Sequence, residues 1–132
     1  MNPKKILIIN DDHDMVYQMT KWLKTSGFEV QSTFTGKEGV QMIGKNQFDL
    51  ILLDFHLKKE IDGMKNAQYF IPMIKNINPL IPIIVTSATQ NNLARYQLDV
   101  TTTLIINSAF WKTFIECIEQ ILKRKERETN KQ

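Results

Sequence analysis

The chain has 132 residues, 42% of them apolar and 23% charged, which suits one soluble domain with its own core and excludes disorder over the whole length. Its longest apolar runs, at 50–53 and 81–85, fall far short of the ~20 residues of a membrane span, and the N-terminus lacks the apolar stretch of a signal peptide. The net charge of +3 sits in the last ten residues, five basic against two acidic, so no nucleic-acid footprint spreads over a folded face; the single Cys117, with no internal disulfide to make, fits a reducing cytoplasm.

Short apolar runs alternate with helical patterns along the chain. Residues 5–9 are a β-branched run that stops at Asn10, Asp11 and Asp12, predicting a first strand. From Asp14 onward Met15, Met19, Trp22 and Leu23 recur at helical spacing, and Ser26-Gly27 supplies a stop. Residues 28–34 alternate apolar with polar, a second strand. A short helix is predicted over 36–43, with Val40 and Ile43 inward and Gly44 closing it. Residues 48–53 are again continuously apolar and end at Asp54. Helical spacing returns over 64–77, where Ala67, Phe70, Ile71 and Ile74 share a face. Pro79 and Pro82 bracket the entry to a fourth strand at 81–86. A weak helix over 88–98 and a fifth strand over 102–106 follow. The final helix is predicted over about 110–126, with Phe114, Ile118, Ile121 and Leu122 inward, leaving 127–132 as a polar tail.

This order implies an α/β fold: a doubly wound, five-stranded parallel sheet, (βα)5, with helices on both faces. The second strand alternates where the others run continuously apolar, which places it at or near an edge. Such a sheet presents its site at the carboxyl ends of the strands, beside the switch in strand order. Asn10, Asp11, Asp12 and Asp14 follow the first strand there, and Asp54 follows the third. Thr86 and Ser87 close the fourth, and Asn107 and Ser108 the fifth.

Three chemistries compete for that place. A flavin or dinucleotide site needs a glycine- or hydroxyl-rich turn whose bare amides receive phosphate, whereas here acids fill the turn and repel it. A nucleophile elbow needs Gly-x-Ser-x-Gly, which is absent. A hard divalent cation remains, since two carboxylates, a main-chain carbonyl and waters are what Mg²⁺ prefers. With such an ion in place a carboxylate oxygen can attack a phosphoryl donor.

Four blocks carry a resemblance: Ile-Leu-Ile-Ile-Asn-Asp-Asp-His-Asp-Met at 6–15, Asp-Leu-Ile-Leu-Leu-Asp-Phe-His-Leu at 49–57, Asp-Gly at 62–63 and Ile-Pro-Ile-Ile-Val-Thr-Ser-Ala at 81–88. Taken in order over about residues 4–122, the sequence resembles the receiver domain of response regulators. The resemblance implies a flavodoxin-like, CheY-like fold in which Asp54 accepts a phosphoryl group from a histidine kinase or phosphotransfer protein. It implies Asp11, Asp54 and the main-chain carbonyl of His56 as Mg²⁺ ligands, with Asn10 acting through a water. Ser87 takes the place of the switch hydroxyl that turns toward the acyl phosphate.

The departures are as informative. Asn10 stands where the family has an acid, so one of three negative charges is lost and weak Mg²⁺ binding is expected. The family's lysine after the fifth strand has no counterpart, since Asn107-Ser108 or Ser108-Ala109 occupies its place, and an amide or hydroxyl cannot replace a cation. Leu104 or Ile105 fills the aromatic switch position, and Asp99 or Val100 replaces a glycine. The loop 58–63 is one residue longer than the commonest pattern, with Lys58 where proline is usual. Lys58, Lys59 and Lys112 are candidates to replace the missing cation, although solvated lysines are the plainer reading. Of Asp12 and Asp14, either suits the first helix's N-cap, and Asp14 is favoured. His13 and His56 are too isolated for a transition-metal site; the resemblance implies that His56 borders the phosphoryl group, and an exposed loop position is the alternative. The methionines and Cys117 are read as core fillers. Trp111 and Phe110 open the last helix.

The expected protein is therefore a stand-alone receiver (1–126) in two-component phosphorelay signalling, followed by a tail and no output domain. It would be a phosphoryl acceptor rather than an enzyme, with at most self-catalysed phosphorylation and dephosphorylation. Its partners would be a kinase and a downstream protein, with no nucleic acid and no membrane, and a homodimer left open. The alternative is a pseudo-receiver that binds proteins without phosphorylation.

Overall fold

Continuous runs of isoleucine, leucine and valine form the strands β1 (Lys5–Ile9), β3 (Leu50–Asp54) and β4 (Ile83–Ser87), while the alternating β2 (Glu29–Thr33) and the short β5 (Thr102–Ile105) complete a sheet. The helices are α1 (His13–Thr25), α2 (Gly36–Lys45), α3 (Ala67–Ile77) and α4 (Trp111–Asn130). These come from a computed structural model that describes residues 2–57, 66–87, 100–105 and 111–130. The helix predicted over 88–98 lies outside the described residues, as do Lys58, Lys59, Asn107, Ser108 and Phe110, so five strands and four helices are described.

The sheet is parallel throughout, in the order β2-β1-β3-β4-β5. The alternating strand β2 is at an edge because only part of one of its faces meets the core. Strand order reverses between β1 and β3, which pair in register from Ile6↔Leu50 to Ile9↔Leu53. Their last residues thus open onto the crevice where α/β sheets place ligands.

Alternation along the central strands sends one set of side chains to each face. Leu7, Ile9, Ile51, Leu53, Ile83 and Val85 pack with Ile43 of α2 and Phe70, Ile71 and Ile74 of α3. Ile6, Ile8, Leu50, Leu52 and Ile84 pack with Val16, Met19 and Leu23 of α1 and Phe114 and Ile118 of α4. Each fully buried side chain of this size contributes about 1.5–3 kcal/mol. The α2 helix lies close to the sheet because Gly36 and Gly39 present no side chain: a Cβ at Gly36 would overlap the Phe70 ring and one at Gly39 the Ile9 side chain.

Several boundaries differ from expectation. The α1 helix is capped by Asp12, not Asp14, and begins at His13; Asp14 lies in its first turn, beside the positive end of the helix dipole. Gly27 (φ 93°) ends α1 as expected, its amide donating to Lys24 O and that of Phe28 to Leu23 O. Gly44 does not stop α2, which runs on to Lys45 with Asn46 as cap. The α4 helix continues to Asn130, and Lys4 pairs with Glu126 at 3.2 Å along this extension. Both groups are well exposed, so the pair adds little. Met19 is buried, Met15, Met42 and Cys117 are partly so, but Met73 is exposed. Among the described residues no helix is long and apolar enough to cross a membrane.

Candidate functional site

The acid turn after β1 is held by its own main chain. Asn10 is buried, and its amide N–H donates to Thr33 O on β2 (3.1 Å). Its side-chain Oδ1 accepts the Asp12 N–H at 2.9 Å. That bond leaves Asp12 extended (φ −86°, ψ 104°), and its carboxylate then accepts the amides of Asp14 (3.1 Å) and Met15 (3.2 Å). So Asp12 is committed to the helix end, and Asp11, half-buried between two anchored neighbours, is the acid left to face the crevice. The turn is braced from the side: Thr33 Oγ1 donates to Glu38 (2.9 Å), whose amide donates to Thr35 Oγ1 (3.2 Å) at the start of α2. The His13 ring stacks on Phe34, centroids 3.9 Å apart at 12°, which accounts for it without a metal.

The nucleophile candidate is fixed by a second set of bonds. Asp54 ends β3 opposite Thr86 of β4, and the next amide, Phe55 N–H, donates to Thr86 O at 2.8 Å. Phe55 O accepts the Ala67 amide (2.9 Å), and His56 bridges Asn66, so α3 starts from the loop that carries Asp54. Phe55 and Leu57 are buried and pin the loop, while the His56 ring is set edge-on against Phe55.

Burial, and then the charge of Asp11, push the Asp54 carboxyl up to about 7, with a smaller push from Asp12; the main-chain amides of His56 and Phe55 act in the opposite sense. The register of β1 against β3, and the charge of Asp11 felt at Asp54, bring the two acids of the sequence reading together at the carboxyl ends of adjacent central strands. A carboxyl whose proton affinity is raised by burial and by a neighbouring carboxylate is a group suited to a cation.

A hydrated Mg²⁺ ion would take hard oxygen donors, and Asp11, Asp54 and the main-chain carbonyl of His56 are the groups of this kind that could hold it. Among the described residues no three His, Cys, Asp or Glu side chains gather into a metal-holding group, in keeping with Asp12 being turned to the helix and residue 10 being an amide. Asn10 Oδ1 already accepts one hydrogen bond, and its second lone pair is what remains for a water.

On the β4 side, Thr86 and Ser87 are both buried, and Ser87 pairs with Ile105 of β5. Of the cation candidates, Lys112 is exposed with its Nζ 5.9 Å from the Trp111 ring centroid. Trp111 itself stacks with Trp22 across the α1–α4 face, centroids 6.3 Å apart. The braces the sequence reading missed, Thr33, Thr35 and Glu38, had a signal: Thr-x-x-Glu at 35–38 is a capping-box pattern.

A family model described as "Response regulator receiver domain" matches residues 6–106. The chain is 29% identical over 87 residues to the uncharacterized transcriptional regulatory protein YcbL of Bacillus subtilis, covering 66% of this chain and 36% of that protein. It is 28% identical over 89 residues to the transcriptional regulatory protein CrdR of Helicobacter pylori, covering 67% and 40%. The chain thus spans two fifths or less of these relatives. Among solved structures, a CheY-like receiver domain protein from Methanospirillum hungatei superposes with TM-score 0.78 at 21% identity, over 96% of this chain and 99% of that one. The response regulator TrrA of Thermotoga maritima, solved with Mg²⁺ and BeF, gives 0.70 at 19% identity, over 89% and 97%.

Proposed function

This chain belongs to the response regulator receiver domain family, and from that premise we propose that it accepts a phosphoryl group on Asp54 with Mg²⁺ bound beside it. The observation that carries this reading is the half-buried Asp54 at the end of β3, its carboxyl pushed up to about 7 by burial and by Asp11.

The donor would be a phosphohistidine of a kinase or phosphotransfer protein. One Asp54 oxygen attacks phosphorus; the O–P bond forms as the donor's P–N bond breaks, and the departing imidazole nitrogen takes up a proton. Asp54 must be ionised to attack; Asp11, Asp54 and the His56 carbonyl would hold a divalent cation, which would favour that form and supply positive charge toward the phosphoryl oxygens. Asn10 keeps the β1 turn that carries Asp11 in shape, while the main-chain bonds of Phe55 to Thr86 and Ala67 fix the backbone next to Asp54. Ser87 is the hydroxyl we assign to the acyl phosphate once formed. The protein's chemistry is then confined to its own carboxylate, so it is a signalling acceptor rather than an enzyme.

A second reading, a pseudo-receiver that binds partners without phosphate, draws on Asn10 and on Asn107-Ser108 or Ser108-Ala109 standing where the family carries lysine. One experiment separates them: incubation with acetyl phosphate and Mg²⁺ followed by intact mass. The acceptor reading expects one added phosphate that disappears in Asp54→Asn. A normally folded protein that gains no mass at any Mg²⁺ concentration is the binding module.

A further inference from the structure

The α3 helix is tied at each end to a different strand. At its start Phe55 O, one residue beyond Asp54, accepts the Ala67 amide at 2.9 Å, and His56 bridges Asn66. Asn66 then caps the helix, its Oδ1 accepting the Gln68 amide (2.9 Å) and its carbonyl the Tyr69 amide (3.2 Å). At the other end Asn78 closes α3, its amide donating to Ile74 O (3.0 Å). Asn78 O in turn accepts the amide of Ile81 (3.4 Å), a buried residue that leads into β4. Between these two anchorages stands Pro72, inside the helix and on its exposed side. A proline has no N–H, so Gln68 O loses its helical partner and the ladder is interrupted there. Both halves are packed: Phe70 and Ile71 before the proline and Ile74 after it are buried, and the Phe70 ring fills the room that a side chain on Gly36 would need.

We propose that Pro72 works as a hinge, dividing α3 into a first half (66–71) that follows the Asp54 loop and a second half (73–77) that stays with β4. Phosphorylation is then read out at the start of α3. The inference rests on the acceptor reading of Asp54. A phosphoryl group there adds volume and charge one residue from Phe55, whose amide is bonded to Thr86 of β4 and whose carbonyl is bonded to α3. Two routes therefore lead away from the acceptor. The β4–β5 route carries Leu104 or Ile105 where the resemblance puts an aromatic ring, whereas the α3 route is a direct main-chain bond. A helix with a complete ladder would pass a displacement along its whole length, against both anchorages; the gap at Pro72 lets the first half yield alone. On the surface the change reaches Tyr69, 41% exposed, whose ring lies edge-on to Phe70 with centroids 5.1 Å apart.

The test records amide hydrogen exchange by NMR on the whole chain, free and with Mg²⁺ and beryllofluoride. Intact mass after acetyl phosphate and Mg²⁺ checks Asp54 as acceptor independently. Beryllofluoride changes the exchange rates of residues 68–71 by about tenfold or more, while those of 73–77 stay within about twofold. Pro72→Ala restores the missing amide at an exposed position; it still gains one phosphate, but the difference between the two halves disappears. Equal changes in both halves of the wild type, or no change in either while the adduct forms, overturns the hinge and leaves Asp54 as acceptor. So does a Pro72→Ala protein that keeps the difference. Absence of both the adduct and any response to beryllofluoride overturns the acceptor reading, and this inference with it.

Discussion

The crevice has an acid half, at the ends of β1 and β3, and a hydroxyl half, at the end of β4. In the acid half every neighbour of the key carboxylates is pinned: Asn10 to Thr33 and Asp12, Asp12 to α1, Phe55 to Thr86 and Ala67. It retains Asp11 and Asp54 in electrostatic contact. The hydroxyl half keeps Ser87 buried, while in the sequence Asn107-Ser108 or Ser108-Ala109, and Leu104 or Ile105, fall where the resemblance puts a cation and an aromatic ring. On the proposed function, the groups that would start phosphoryl transfer are present, while those that would hold the transferred group are altered. The two halves of one crevice can diverge because they are carried by different strands and loops on one rigid sheet.

Breaking the acid half has the largest expected effect. Asp11→Asn removes a charged metal ligand and lowers the rate of phosphorylation by small phosphodonors by about a hundredfold or more, read by intact mass against time. A rate within a few-fold of the wild type would detach Asp11 from the site. Repairing the hydroxyl half comes next: Asn107→Lys or Ser108→Lys raises the yield or rate by about tenfold to a hundredfold, the worth of a charged hydrogen bond to the phosphoryl oxygens. If neither moves the kinetics, charge is not the deficit there.

The third prediction is linkage. The Asp54 carboxyl has its ordinary value of 3.8 in the unfolded chain and about 7 in the folded one, so folding favours the protonated form. That stabilisation is complete below about pH 4 and is lost as pH rises through 7. In EDTA, Asp54→Asn therefore unfolds at higher temperature than wild type at pH 8, by the equivalent of about 1–2 kcal/mol, and the two converge toward pH 4. Melting curves with the same gap at both pH values would contradict this. The smallest effect is Asn10→Asp, which returns the third negative charge and tightens Mg²⁺ binding about tenfold in a fluorescence titration through Trp22. An unchanged affinity would mean that residue 10 acts only by holding the turn.

Much of this was legible in the chain. Runs such as Leu50–Asp54 read as buried strands because both faces demand apolar residues, and the alternation in β2 marked it as an edge. Asp11 and Asp54 were legible as partners because strand ends in this architecture converge. The N-cap was not: the sequence pointed to Asp14, whereas Asp12 caps the helix, its amide held by the Asn10 side chain. Gly44 misled because glycine ends a helix only where the chain turns left-handed, and here that happens at Gly27 and not at Gly44. Met73 read as a core filler because helical spacing identifies apolar positions but not how wide a face the neighbours cover.

The amino-acid order by itself determined the element succession, the parallel sheet and the end of it where the acids stand, because burial periodicity and turn chemistry act over a few residues. Only the tertiary structure decided the raised proton affinity of Asp54, the choice of cap and the exposure of Met73 on α3. Each of those depends on what another segment places nearby, as when Asp11, forty-three positions earlier, adds its charge to the burial of Asp54.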